Sequence, residues 1–165
     1  MNSVEKYNII KWILYLGIIF SSFMLRRNIT NNLKFAIKDT LWCPAFGNTA
    51  RCDLAILTGS FGIFAGFGLL LMSVHSSINK NASFFLGAYN EKEPIFCLLQ
   101  IPIWICAAKT FLSWTEDVMD PKKCDCTPGW EIWCVYVYII LNMLFLYWAA
   151  MLSYVQKNVR ESNKD

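Results

Sequence analysis

Leu54-Ala-Ile-Leu-Thr-Gly59-Ser-Phe-Gly62-Ile-Phe-Ala-Gly66-Phe-Gly-Leu-Leu-Leu-Met-Ser-Val74 is a run of 21 residues without a single charge. About 20 apolar residues of α-helix cross the hydrocarbon core of a bilayer. Lipid offers nothing to pair with backbone N–H and C=O groups, so a segment at that depth is helical or part of a closed barrel. The run lacks the two-residue alternation of a barrel strand, which leaves a helix. Three further runs, Ile9–Leu25, Ile95–Trp114 and Ile132–Val155, hold 17, 20 and 24 residues. Together they predict an all-α membrane protein: a four-transmembrane-helix bundle, with residues 1–165 forming one membrane domain.

Composition points the same way. Charged residues make up 16% of the chain, against about 25% in ordinary soluble domains. Four spans and their loops use the whole length, leaving no room for a soluble domain. The formal net charge of +3 is scattered over loops and tails, which excludes the clustered basic stripe of a nucleic-acid-binding surface. The first run is longer than a secretory h-region, and Ser21-Ser22-Phe23-Met24 lacks a small-x-small cleavage pattern, so it reads as a retained signal anchor.

Within the second run, Ala55, Gly59, Gly62 and Gly66 recur at intervals of four, three and four and form one stripe of small residues. Such stripes let helix backbones approach closely in lipid. The stripe serves either packing inside this bundle or docking of another protein. Polar residues at depth are Gln100 and Asn142, each expected to make an interhelical hydrogen bond. Pro102 removes a backbone donor near mid-membrane and is expected to kink span three. Lys11 and Lys109 are read as cations that snorkel to the headgroups. Glu91-Lys92-Glu93-Pro94 is read as the start of span three. Tyr and Trp near both ends of the spans form an aromatic belt.

The Lys/Arg bias does not orient the bundle. One side holds Lys6, Lys11, Lys80, Lys92, Lys157, Arg160 and Lys164, and the other Arg26, Arg27, Lys34, Lys38, Arg51, Lys109, Lys122 and Lys123. Seven against eight sets no direction. The cysteines do: Cys43, Cys52, Cys124 and Cys126 all fall in the first and third loops, which share one side. Cysteines gathered on one face suggest an oxidising lumen or exterior. The expectation is therefore a small disulfide-stabilised luminal or extracellular cap, with both termini cytosolic, in the endoplasmic reticulum or plasma membrane. In that orientation Asn28, in Asn28-Ile29-Thr30, is the eligible glycosylation acceptor. Leu33, Phe35 and Ile37 alternate with Lys34, Ala36 and Lys38, which suits a strand or extended segment in the first loop, while Leu33, Ile37 and Leu41 are also spaced for one face of a helix lying on the membrane; Pro44 to Asn48 suits a turn. Cys134, at the luminal start of span four, could pair with Cys52, Cys124 or Cys126.

Leu41-Trp42-Cys43, eight intervening residues and then Cys52 resemble the tryptophan–cysteine–cysteine signature of claudin-like four-span proteins, which include junction proteins and auxiliary channel subunits. Claudins place two residues between the Trp and the first Cys, and a longer loop ahead; here Trp42 and Cys43 are adjacent. The layout is also similar to the transmembrane protein 179 family. Shared points are two cysteines in each luminal loop, Ser83-Phe84-Phe85 in the middle loop, and Trp114 followed by Glu116 and Asp117. Either resemblance implies a non-catalytic four-span protein.

A rival resemblance is to the four-span vitamin K epoxide reductases, membrane-embedded thiol oxidoreductases with two loop cysteines after span one and a Cys-x-x-Cys opening span four. Cys43 and Cys52 match the relay pair and Cys134 the first catalytic cysteine. Val137 stands where the resolving cysteine is required. One histidine cannot build a His-rich metal site, and the glycines lie inside a span rather than in a phosphate-binding loop. No catalytic, metal or cofactor site is expected, and no soluble small-molecule substrate. The sequence points to an accessory or scaffold subunit whose partners are the bilayer and a larger integral membrane protein: a channel, receptor, transporter or lipid-handling assembly. A claudin-like adhesion protein is the second non-catalytic alternative.

Overall fold

The computed structural model describes residues 3–33, 35–37, 40–42, 46–47, 49–78, 84–119 and 130–162. Four helices dominate them: α1 (Ser3–Asn28), α2 (Thr49–Ile78), α3 (Phe84–Met119) and α4 (Trp130–Ser162). Each supplies a stretch long and apolar enough to cross a membrane: Glu5–Asn31, which runs on past the end of α1, Thr49–Ile78, Lys92–Asp117 and Trp130–Val159. The helices outrun the apolar runs at both ends, because polar flanks with helical propensity continue the hydrogen-bond ladder into the interface. A π-helical turn, Ile29–Leu33, ends α1. Two short strands follow, β1 (Phe35–Ile37) and β2 (Thr40–Trp42). They pair antiparallel, with Phe35 opposite Trp42 and Ile37 opposite Thr40. The expected extended segment is thus a minimal hairpin. Of the expected turn, Phe46 and Gly47 are described, and Gly47 takes a φ of 84°, which a residue without Cβ adopts at no steric cost.

The chain runs up, down, up, down. Contacts follow the ring α1–α2–α3–α4–α1, and the α2–α3 seam is the sparsest of the four. The molecule is apolar outside: Phe64, Leu71, Phe20, Leu99 and Ile13 are 75%, 65%, 64%, 62% and 61% exposed. Its interior has an apolar core that includes Tyr15, Ile18, Trp104, Phe111 and Ile139, and it also holds buried Lys11, Ser22, Ser73, Glu93, Thr115, Asn142 and Gln156. A water-soluble bundle does not expose so large an apolar surface, so this one suits a lipid solvent.

Lipid tails are as apolar as leucine, so the helices gain no hydrophobic energy by associating; close packing and hydrogen bonds hold them together. The small-residue stripe of α2 supplies the closeness. Ala55, Gly59, Gly62 and Gly66 are all buried, and the three glycines face α1. A Cβ at Gly59 would lie 3.0 Å from Arg26 Cβ and 3.1 Å from Ser22 O. One at Gly66 would lie 2.8 Å from Ile19 Cγ1, and one at Gly62 would collide with Ser22 Oγ and come within 2.6 Å of Trp104 Cζ2. Of the two roles open to the stripe, this is helix packing within the bundle.

The membrane-crossing stretch of α3 opens at Lys92, where Glu91-Lys92-Glu93-Pro94 is expected to start span three, but the helix itself begins earlier, at Phe84, and both Pro94 and Pro102 lie inside it. Phe84-Phe85-Leu86-Gly87-Ala88-Tyr89 has no helix breaker strong enough to stop the ladder, so Pro94 falls inside a helix already under way and the helix continues through it. Pro102 forfeits one backbone bond yet the helix continues to Met119.

Replacing Gly62 by Leu is expected to lower stability in detergent by about 1–3 kcal/mol, the usual result of overpacking. Gly68→Leu should be near neutral, because nothing lies within 4 Å of its Cβ position. Denaturation of the two variants in mixed micelles compares them directly.

Candidate functional site

Polar side chains concentrate at three levels of the bundle. The first lies near the end that carries both termini. Lys11, early in α1, places Nζ 2.6 Å from Glu93 Oε2, and both side chains are 3% exposed. Tyr15, one turn along α1, donates its hydroxyl to Glu93 Oε1 at 2.6 Å. The same hydroxyl lies 3.8 Å from Cys97 Sγ, one turn along α3. Lys11 and Tyr15 share a face of α1, and Glu93 and Cys97 share a face of α3, because residues four apart are stacked on a helix. Since α1 and α3 run in the same direction, the two pairs meet in register across the centre of the bundle. Each carboxylate oxygen has its own donor, which offsets the desolvation of a buried ion pair. Around it, Trp12 Nε1 donates to Ser73 Oγ at 3.2 Å and Gln156 Nε2 to Asn8 Oδ1 at 2.7 Å. All four helices are therefore joined at this level.

Lys11 was expected to snorkel to the headgroups; instead it is 2% exposed and paired. Nothing in its own segment announces this, because Glu93 is 82 residues away. The available signal was the twin i, i+4 spacing of polar residues, Lys11 with Tyr15 and Glu93 with Cys97.

The second level is mid-membrane. Ser22 Oγ donates to Asn142 Oδ1 at 3.0 Å, and Asn142 Nδ2 donates to Tyr138 O at 2.9 Å. Asn142 thus makes the interhelical bond expected of it, joining α4 to α1. Gln100 does not: its Nε2 turns back to Phe96 O at 3.3 Å. Gln100 Oε1 and Trp104 Nε1 are buried and lack a hydrogen-bond partner among the described residues.

The third level is the loop end. Arg51 reaches Asp117 at 3.3 Å and lies 5.5 Å from the centre of the Trp114 ring. Trp114 in turn packs on Phe46 and Phe111, with ring centres 5.9 and 5.6 Å away. Asn28 is buried, and its Nδ2, the atom that would carry a glycan, donates to Glu131 O at 2.7 Å. A cavity of about 430 Å³ opens beside it, lined by Met24, Arg27, Asn31, Trp130, Cys134 and Tyr138. Cys134, Cys97 and Cys106 are free thiols, whereas Cys52 is buried at the start of α2 and disulfide-bonded. Cys43, Cys124 and Cys126 lie outside the described residues. Trp130 and Trp133 at this end, and Tyr147, Trp148 and Tyr154 on the rest of α4, are exposed as an aromatic belt requires.

The sequence matches no protein-family model, no curated protein and no solved structure. Any functional conclusion therefore rests on this chain's own geometry.

Lys11→Met and Glu93→Gln, each alone, are expected to destabilise the bundle by about 3–5 kcal/mol, because the remaining partner is left buried and unpaired. The double variant should recover much of that loss, and denaturation in micelles of all four proteins gives the coupling. Ser22→Ala is expected to lose only about 0.6 kcal/mol, the average for interhelical hydrogen bonds in membranes, in the same measurement.

Proposed function

We propose that this chain is a non-catalytic accessory or scaffold subunit that docks through α3 onto a larger integral membrane complex. The observation that carries this is the uneven enclosure of the four spans. In α1, α2 and α4, 39%, 28% and 33% of the most apolar window is buried inside the protein, against 17% in α3. That helix nevertheless carries more than lipid-facing residues: Pro102, Cys106, Lys109 and Ser113 are all exposed. Interior polar groups support the same reading. They form closed pairs, Lys11 with Glu93 and Ser22 with Asn142, rather than a chain leading through the bundle. Such pairs specify helix register and orientation, which is what a scaffold needs.

The loop end fits a stiff cap. The disulfide at Cys52, made with Cys43, Cys124 or Cys126 as the sequence offers, would tie a loop to the start of α2. A disulfide at that end supports a reading in which it faces an oxidising compartment and both termini are cytosolic, in the endoplasmic reticulum or plasma membrane. The channel, receptor, transporter or lipid-handling character of the larger complex is carried by the partner.

Photo-crosslinkers placed on α3 at Ile105 and on α2 at Phe64, in the full-length protein in its native membrane, test the assignment. Crosslinks to another integral membrane protein are expected from Ile105 and not from Phe64. A lone monomer in mild detergent, with crosslinks to lipid from both positions, would overturn it. Cys134→Ser should leave assembly unchanged; loss of thiol–disulfide exchange in that variant would instead favour an oxidoreductase.

A further inference from the structure

The residues of α3 divide sharply by face. Glu93, Cys97, Trp104, Phe111 and Thr115 are buried, at spacings of four, seven, seven and four. Opposite them, Ile95, Pro102, Cys106, Lys109 and Ser113 are exposed, at spacings of seven, four, three and four. Both sets are single stripes on an α-helix. The outward stripe is therefore lined, in its loop-side half, by a small thiol, a lysine and a serine, on a surface whose other exposed residues are mostly large and apolar.

Lys109 is the outlier. It lies eight residues before Asp117, the end of the span, or about 12 Å at 1.5 Å per residue. Snorkelling to that nearer surface runs against helix geometry, because each Cα–Cβ bond tilts toward the helix N-terminus. On α3 that direction leads deeper into the membrane. No described carboxylate forms an ion pair with Lys109. Intramembrane cations normally face a partner or a cavity, and this one faces outward.

We propose that the outward stripe of α3 receives a transmembrane helix of another protein carrying an aspartate or glutamate at the depth of Lys109. This rests on the accessory-subunit reading and names the chemistry of its contact. Charge complementarity selects the occupant. Among the described residues a second copy of this chain offers no matching acid: Glu93 is held by Lys11 and Tyr15. Glu5, Asp53, Glu116, Asp117 and Glu131 stand near helix ends. Cys106 and Ser113, one turn either side of Lys109, are small enough for a helix to approach, and Ser113 can add a hydrogen bond.

The test uses full-length protein reconstituted in phosphatidylcholine vesicles with a synthetic leucine–alanine transmembrane peptide that carries one central aspartate. Matched peptides carry leucine or lysine at that position, and energy transfer between labels reads association. The aspartate peptide should bind about tenfold tighter than the leucine peptide, the range of one good polar contact in lipid. That preference should persist in Lys109→Arg and vanish in Lys109→Leu, whose exposed position leaves the melting temperature unchanged. Equal binding of the three peptides overturns the proposal. So does a Lys109→Leu effect confined to phosphatidylserine-containing vesicles, which would make Lys109 a headgroup anchor. In native membranes, an assembly that survives Lys109→Leu overturns only the acidic-helix contact, whereas a lone monomer overturns the subunit assignment as well.

Discussion

A polar group inside a bilayer has no water to turn to, so each must find its partner within the protein or in a neighbour. That constraint organises this bundle at every level. It forces the backbone into four uninterrupted helices and sends Lys11, Tyr15, Ser22, Glu93 and Asn142 inward, where they meet in pairs. The Lys11–Glu93 pair is the most demanding of these contacts. It connects α1 and α3, diagonal rather than adjacent helices, so the ring of contacts is pinned through its middle. A shift of one helix by a single turn would leave a buried charge unpaired.

Close packing is the second half of the same physics. With no hydrophobic gain from association, α1 and α2 hold together because Gly59, Gly62 and Gly66 let the backbones come near. The stripe also places Ser22 where it can reach Asn142 on α4. Packing and polar pairing are therefore coupled: a side chain at Gly62 would push on Ser22 and Trp104 together. The α2–α3 seam has no comparable device, and α3 is the helix left most open to the surroundings.

Much of this was legible from residues alone. The length of the apolar runs fixes the number of spans, and the spacing of Ala55, Gly59, Gly62 and Gly66 identifies a close-packing helix. Alternation at Phe35 to Ile37 announces the strand that forms there. Asn142 reads correctly as an interhelical partner, its amide oxygen accepting from Ser22 while its amide nitrogen donates within α4 to Tyr138 O. Gln100 reads incorrectly: its own helix offered a carbonyl at Phe96. Lys11 reads incorrectly because a lysine near a span's end usually reaches water, and nothing local reveals a carboxylate 82 residues away.

The division between the two sources has a simple physical basis. Hydrophobic length and residue periodicity are local quantities, so the sequence by itself determined four helices, their up-and-down order and which face of α2 is small. Partner choice is a long-range quantity. Only the tertiary structure decided that Lys11 belongs to Glu93, that the stripe packs on α1, and that Lys109 is exposed with no counter-charge among the described residues. Which helix meets which depends on the summed fit of all four, and no single segment carries that sum.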